Sequence, residues 1–71
     1  MNKDMQFVVL NIILNDGDNE RGAHYDFVMK RCAEQGYTDE DLIEDTIYYL
    51  RDKNVIEEPI FGWFKINEGL E

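Results

Sequence analysis

Val55-Ile56-Glu57-Glu58-Pro59-Ile60-Phe61-Gly62-Trp63-Phe64-Lys65-Ile66 is the stretch on which the fold turns. Val55-Ile56-Glu57 has the β-branched character of a short strand, Glu58-Pro59-Ile60-Phe61-Gly62 that of a turn, and Trp63-Phe64-Lys65-Ile66 that of a returning strand. Proline has no N–H to give a ladder, so Pro59 belongs to the turn or to a sheet edge. Side chains alternate across a strand, which sends Phe64 and Ile66 into a core and leaves Trp63 and Lys65 outside.

Ahead of this hairpin the periodicity is helical. Leu42, Ile43, Thr46, Ile47 and Leu50 recur as one buried face of a helix over about residues 39–53. Thr38 serves as its N-cap, Asp39, Glu40 and Asp41 sit at the positive end of the helix dipole, and Asn54 is the left-handed terminator. Tyr25, Val28, Met29, Cys32 and Ala33 form a second stripe, over about residues 24–35, closed by Gly36 and the apolar Tyr37. Asn15 to Gly22 is a polar loop with two glycines.

Phe7-Val8-Val9-Leu10-Asn11-Ile12-Ile13-Leu14 fits a buried strand or a buried helix on composition alone. A start signal at Asn2 or Asp4 and a stop at Asn15-Asp16-Gly17 favour a helix over about residues 4–15. Phe7, Leu10 and Leu14 then share its inner face, with Ile13 beside them. The order is helix, loop, helix, tight turn, helix and hairpin, followed by a tail over residues 67–71. One α+β, mainly α domain is expected over residues 1–71: a winged helix, in which a helix-turn-helix of three helices carries a C-terminal β-hairpin wing.

Within that superfold, the residues from Gly22 to Ile66 resemble one domain more narrowly. Gly22-Ala23, the helix with Val28 and Ala33, Gly36, and the helix from Asp41-Leu42-Ile43-Glu44 to Leu50 take part. So, above all, does the wing, Val55-Ile56-Glu57-Glu58-Pro59 with Gly62, Trp63-Phe64 and Lys65-Ile66. It looks like the C-terminal winged helix of archaeal minichromosome maintenance (MCM) replicative DNA helicases, whose wing reads apolar-x-Glu-Pro, then Gly, an aromatic and a basic residue. The resemblance implies a mobile appendage to an AAA+ ATPase motor that tunes ATPase and unwinding activity, meets initiator proteins and in some members contacts DNA. The acidic third helix departs from a DNA reader.

Charge sharpens that departure. Lys and Arg number 7 against 16 Asp and Glu, giving a net charge of −9, whereas phosphate binding is driven by basic side chains that release counterions. Glu40, Asp41, Glu44, Asp45, Tyr48, Arg51 and Asp52 are the outward positions of the third helix, so the major groove is a poor partner for it. Glu40, Glu44, Asp45 and Tyr48 are read as an acidic docking face for basic protein. The residues that suit DNA or a partner better are on and beside the wing: Phe61 and Trp63 to stack or wedge, and Lys65, Arg51 and Lys53 to meet phosphate. Trp63 beside Phe61 is a docking hot spot or packs over the end of the first helix. Lys30-Arg31 with Arg21 forms a second basic spot of the ordinary solvated kind.

Catalytic readings fail one by one. Asp16, Asp18 and Glu20 alternate like a calcium loop, but Arg21 stands at loop position six and Phe27 at position twelve, where glycine and a bidentate acid belong. One Cys and one His cannot supply the four ligands of a zinc site. Along one helix, Cys32 and His24 are about 12 Å apart, too far for a nucleophile and its base. The chain has no serine and no glycine-rich phosphate loop. No enzyme activity, cofactor, metal or small-molecule substrate is expected.

The expected function is a non-catalytic regulatory module whose partners are replication proteins, the helicase core and initiators among them, with DNA bound weakly if at all. A stand-alone winged-helix transcriptional regulator, binding duplex DNA as a homodimer, is the rival, and a purely structural interaction domain the third reading. No apolar run approaches the roughly 20 residues that span a bilayer. The N-terminus lacks a basic region followed by an apolar stretch, and a lone Cys32 suits a reducing compartment. Cytoplasmic, nucleoid-associated placement without a membrane partner is expected.

Overall fold

The computed structural model describes residues 3–18 and 20–67. Its elements run α1 (Lys3–Asp16), β1 (Ala23–His24), α2 (Tyr25–Glu34), α3 (Glu40–Asp52), β2 (Ile56–Ile60) and β3 (Trp63–Ile66). The three strands form one antiparallel sheet in the order β1-β3-β2. This small, mainly helical α+β fold is compatible with a winged helix. The expected tail beyond Asn67 and the start signal at Asn2 lie outside the described residues. No helix among the described residues is long and apolar enough to cross a membrane.

The helix ends follow from local chemistry. Gln35, Gly36 and Tyr37 close α2 as a Schellman motif: the Gly36 N–H donates to the Ala33 carbonyl at 3.0 Å and the Tyr37 N–H to the Cys32 carbonyl at 2.9 Å. The end of α3 repeats the arrangement with a non-glycine residue. Asn54, at φ 62°, takes the left-handed position, its N–H donating to Arg51 and that of Val55 to Leu50, both at 3.0 Å. At the start of α3 the expected cap shifts by one residue. Asp39, not Thr38, accepts the Leu42 N–H at 3.2 Å, because the helix begins only at Glu40 and Leu42 is then the third helical residue. His24 is likewise outside α2 as its cap, with Nδ1 accepting the Asp26 N–H at 3.1 Å.

The core gathers Met5, Val9, Ile12 and Ile13 of α1, Ala23 of β1, Val28 and Cys32 of α2, Ile43, Ile47 and Leu50 of α3, and Ile56 and Phe64 of the sheet. On α3 the expected stripe holds, with Leu42 half-buried and Thr46 buried, its hydroxyl donating to the Leu42 carbonyl at 2.7 Å. On α2 it holds except at Ala33, which is exposed.

On α1 the helix is as expected and the face is not. Phe7 and Leu14 are each 65% exposed and Leu10 is half-buried, while Met5, Val9, Ile12 and Ile13 point inward. Apolar residues occupy both sides of this helix, so either set at three- and four-residue spacing makes a stripe. Asn11 decides between them. It lies four residues after Phe7 and three before Leu14, and its amide stays in water while the opposite face packs. Phe7→Ala is accordingly expected to move stability by less than about 1 kcal/mol, against roughly 2–5 for Ile12→Ala. Urea denaturation of the two variants checks the ranking.

Two further differences concern the sheet. Ala23–His24 pairs with β3 (Ala23 opposite Phe64, His24 opposite Trp63), adding a strand that local sequence does not announce. β2 also extends through Glu58 and Pro59 to Ile60, so the turn is only Phe61-Gly62, with a register irregularity between Glu57 and Ile60. Pro59 sits on the outer strand, where a missing N–H breaks no ladder bond.

Candidate docking surface

Glu58 organises the region where the β2–β3 hairpin meets α3. One carboxylate oxygen accepts from the Arg51 guanidinium and the other from the Gly62 N–H, each at 2.8 Å. A single acid thus ties the last turn of α3 to the hairpin turn. The Arg51 guanidinium also lies over the Tyr48 ring, 4.6 Å from its centroid, and Tyr48 meets Phe64 edge-on at 6.4 Å. From the other side the Tyr25 N–H donates to the Gly62 carbonyl at 2.8 Å, joining the start of α2 to the same turn. In the sequence, Glu58-Pro59 with Gly62 is wing vocabulary. In the structure Glu58 and Gly62 build the joint.

The Gly62 N–H, with Arg51 adding to it, holds the Glu58 carboxyl below its ordinary value of 4.5 against the opposing effect of burial. A carboxyl whose folded value is depressed contributes stability above its unfolded value and loses it as the pH falls through the folded one. Denaturant midpoints measured from neutral pH down to about pH 2 are expected to fall along an acid limb that Glu58→Gln makes shallower.

The residues expected to serve a partner differ in how far they are already engaged within the domain. Phe61, in the hairpin turn, is 95% exposed. Trp63 is half-buried; His24 meets it edge-on at 5.2 Å, and Arg21 lies over it at 5.7 Å. Lys65 is half-buried on β3, opposite Glu57 of β2. Arg51 is committed to Glu58 and Tyr48. Lys53, just past α3, is exposed with its ammonium 5.7 Å over the Tyr49 ring. In the second basic spot Arg31 is held by Asp16 at 3.2 Å and Glu34 at 2.7 Å.

The acidic face is more coherent. Glu40, Asp41, Asp45 and Asp52 are exposed along α3, and helical spacing sets the exposed Tyr48 among them. Glu44 is half-buried because its carboxylate accepts the Tyr25 hydroxyl proton at 2.7 Å. That bond comes first in raising Tyr25 to about 12, followed by burial and the charge of Glu44 and its neighbours.

His24, Tyr25 and Glu58 are the contributors that sequence reasoning passed over. A histidine directly before the helical stripe and two residues ahead of Asp26 is the available cap signal; in the sequence Tyr25 stands out only as a stripe residue. In the rejected calcium loop, Asp18 instead folds its carboxylate onto the N–H groups of Glu20 and Arg21, which lowers its pKa. Burial pushes the Cys32 thiol up. Among the described residues, no group of three or more His, Cys, Asp or Glu side chains is placed to hold a metal ion.

Comparison with protein-family models, with curated proteins and with solved structures returns no match.

Proposed function

We propose that this domain is a non-catalytic docking module that meets a basic surface of a partner protein, as an appendage to a DNA replication helicase of the MCM type. The observation that carries the docking reading is the outward face of α3, where Glu40, Asp41, Asp45 and Asp52 are exposed and the helix's single basic residue, Arg51, is held by Glu58. A recognition helix in the major groove is surrounded by phosphates. Carboxylates there are repelled and release no counterions. Against a basic protein surface the same charges steer association and reject acidic competitors.

The attachment to a helicase rests on the likeness of Ile56-Glu57-Glu58-Pro59, Gly62 and Lys65-Ile66 to the MCM wing. On this reading the helicase core and initiator proteins are the partners, and ATPase or unwinding activity is modulated through contact. DNA is at most a weak ligand, met through Phe61, Trp63, Lys65 and Lys53. The placement is cytoplasmic and nucleoid-associated.

Two titrations test this, each at two salt concentrations: labelled single-stranded and duplex DNA, and the purified MCM core and initiator of the same organism. The expected outcome is negligible duplex binding and a protein affinity that drops with salt and with the triple charge reversal Glu40→Lys, Glu44→Lys, Asp45→Lys. Duplex affinity that falls steeply with salt, accompanied by shifts of α3 resonances, would overturn the reading in favour of a free-standing DNA-binding regulator.

A further inference from the structure

A cleft of about 250 Å³ opens between the start of α2, the middle of α3 and the wing turn. Its walls are the rings of Tyr25, Tyr48, Phe61 and Phe64, with His24 at one rim and Glu58 at another. Phe64 is buried in the core and forms the floor, while Phe61 projects into solvent. Aromatic faces carry negative quadrupole charge and attract cations within about 6 Å of the ring centroid, most strongly where water is partly excluded. The carboxylates add to that attraction. Glu58 borders the cleft, Glu44 is bonded to the Tyr25 hydroxyl, and Glu40 lies one helical turn before Glu44. Arg51 is the nearby opposing charge, and it is already paired with Glu58. It also supplies an internal example of the chemistry, a planar guanidinium resting 4.6 Å over the Tyr48 ring.

We propose that this cleft receives an arginine side chain of a partner protein, its guanidinium stacked against the rings of Tyr25 and Phe61 and attracted by the Glu58 carboxylate at the border and by the charge of Glu44 on the Tyr25 hydroxyl. The proposal rests on the docking reading above and names the partner group that the reading left open. Arginine suits the walls better than lysine, since its flat, weakly hydrated head stacks on aromatic faces. Partner surfaces that are merely basic are steered by the α3 carboxylates, and those that present an arginine here are retained.

The test needs no partner. Amide and aromatic NMR shifts of the whole domain are followed while n-butylguanidinium chloride is titrated in at constant ionic strength, with n-butylurea and n-butylammonium in parallel. Saturable shifts at Tyr25, Tyr48, Phe61 and Gly62 are expected with the guanidinium, weakened about three- to tenfold by Phe61→Ala, an exposed position where the fold is spared. Equal shifts with the urea would overturn the proposal, since an apolar cleft alone would then explain them. Equal shifts with the ammonium would overturn the assignment to arginine. Guanidinium binding without binding to the helicase core or initiator removes the functional reading and keeps the site; the converse keeps that reading and removes the site.

Discussion

Gly22→Ala is expected to be the most destabilising of the glycine substitutions. Gly22 adopts φ +88°, and a Cβ there falls inside the Phe64 carbonyl oxygen, 2.5 Å from the Phe64 carbonyl carbon and 2.7 Å from the Lys65 Cβ. What it meets is the backbone of β3, the central strand, so a side-chain rotation cannot relieve it. The residue is also held on its own account, exchanging backbone hydrogen bonds with Asp18 at 2.6 and 2.9 Å. Left-handed backbone costs an alanine about 1–2 kcal/mol, and displacing the strand adds to it. A loss of about 3–5 kcal/mol is a large part of the roughly 4–10 kcal/mol that a domain of this length holds in total. Gly36→Ala is the control. Its φ is +94° but the space around it is open, so only the backbone cost, about 1–2 kcal/mol, is expected. Circular dichroism melts of the two variants separate crowding from conformation.

Phe64→Ala comes next in size. The side chain is fully buried on the middle strand, in contact with Tyr48 of α3 and opposite Ala23 of β1. Truncating it removes the apolar plug between sheet and helices, at a cost of about 3–5 kcal/mol by precedent for buried phenylalanines. With a urea m-value near 1 kcal/mol/M for so small a domain, the midpoint is expected to fall by roughly 3–5 M. Phe61→Ala, three residues earlier at the exposed tip, is expected to stay within about 0.5 kcal/mol. A Phe64→Ala variant with an unchanged midpoint would mean that the hairpin does not pack on the helices.

These two sites mark where the amino-acid sequence is informative and where it falls silent. Phe64 was legible, because alternation from Trp63 to Ile66 sends it inward once a strand is recognised. The helices were legible for the same reason, since α2 and α3 pair a one-sided apolar stripe with local stop signals at Gly36 and Asn54. α1 has no one-sided stripe, and its orientation hung on Asn11, whose position between Phe7 and Leu14 is a weak signal until packing is known. β1 is two residues long and exists only through its pairing with β3, so nothing local marks it. Gly22 belongs to the same class: its glycine is needed because of a strand about forty residues later. The candidate site divides in the same way. Charge along α3 is written in the sequence, whereas the capture of Arg51 by Glu58 and the meeting of Tyr25 with Glu44 are products of tertiary contact.

Pro59 on the outer strand has a consequence for the assembly behaviour of the hairpin. β3 is flanked on both sides, so the exposed length of β2 is the sheet's long open margin, and it lies next to Ile60 and the tip phenylalanine. An unprotected apolar ribbon of this kind templates the addition of strands from other molecules and, repeated, the growth of fibrils. A residue with no N–H in that margin interrupts the ladder an incoming chain would need. The tip can therefore present apolar surface to a partner without recruiting further copies of itself.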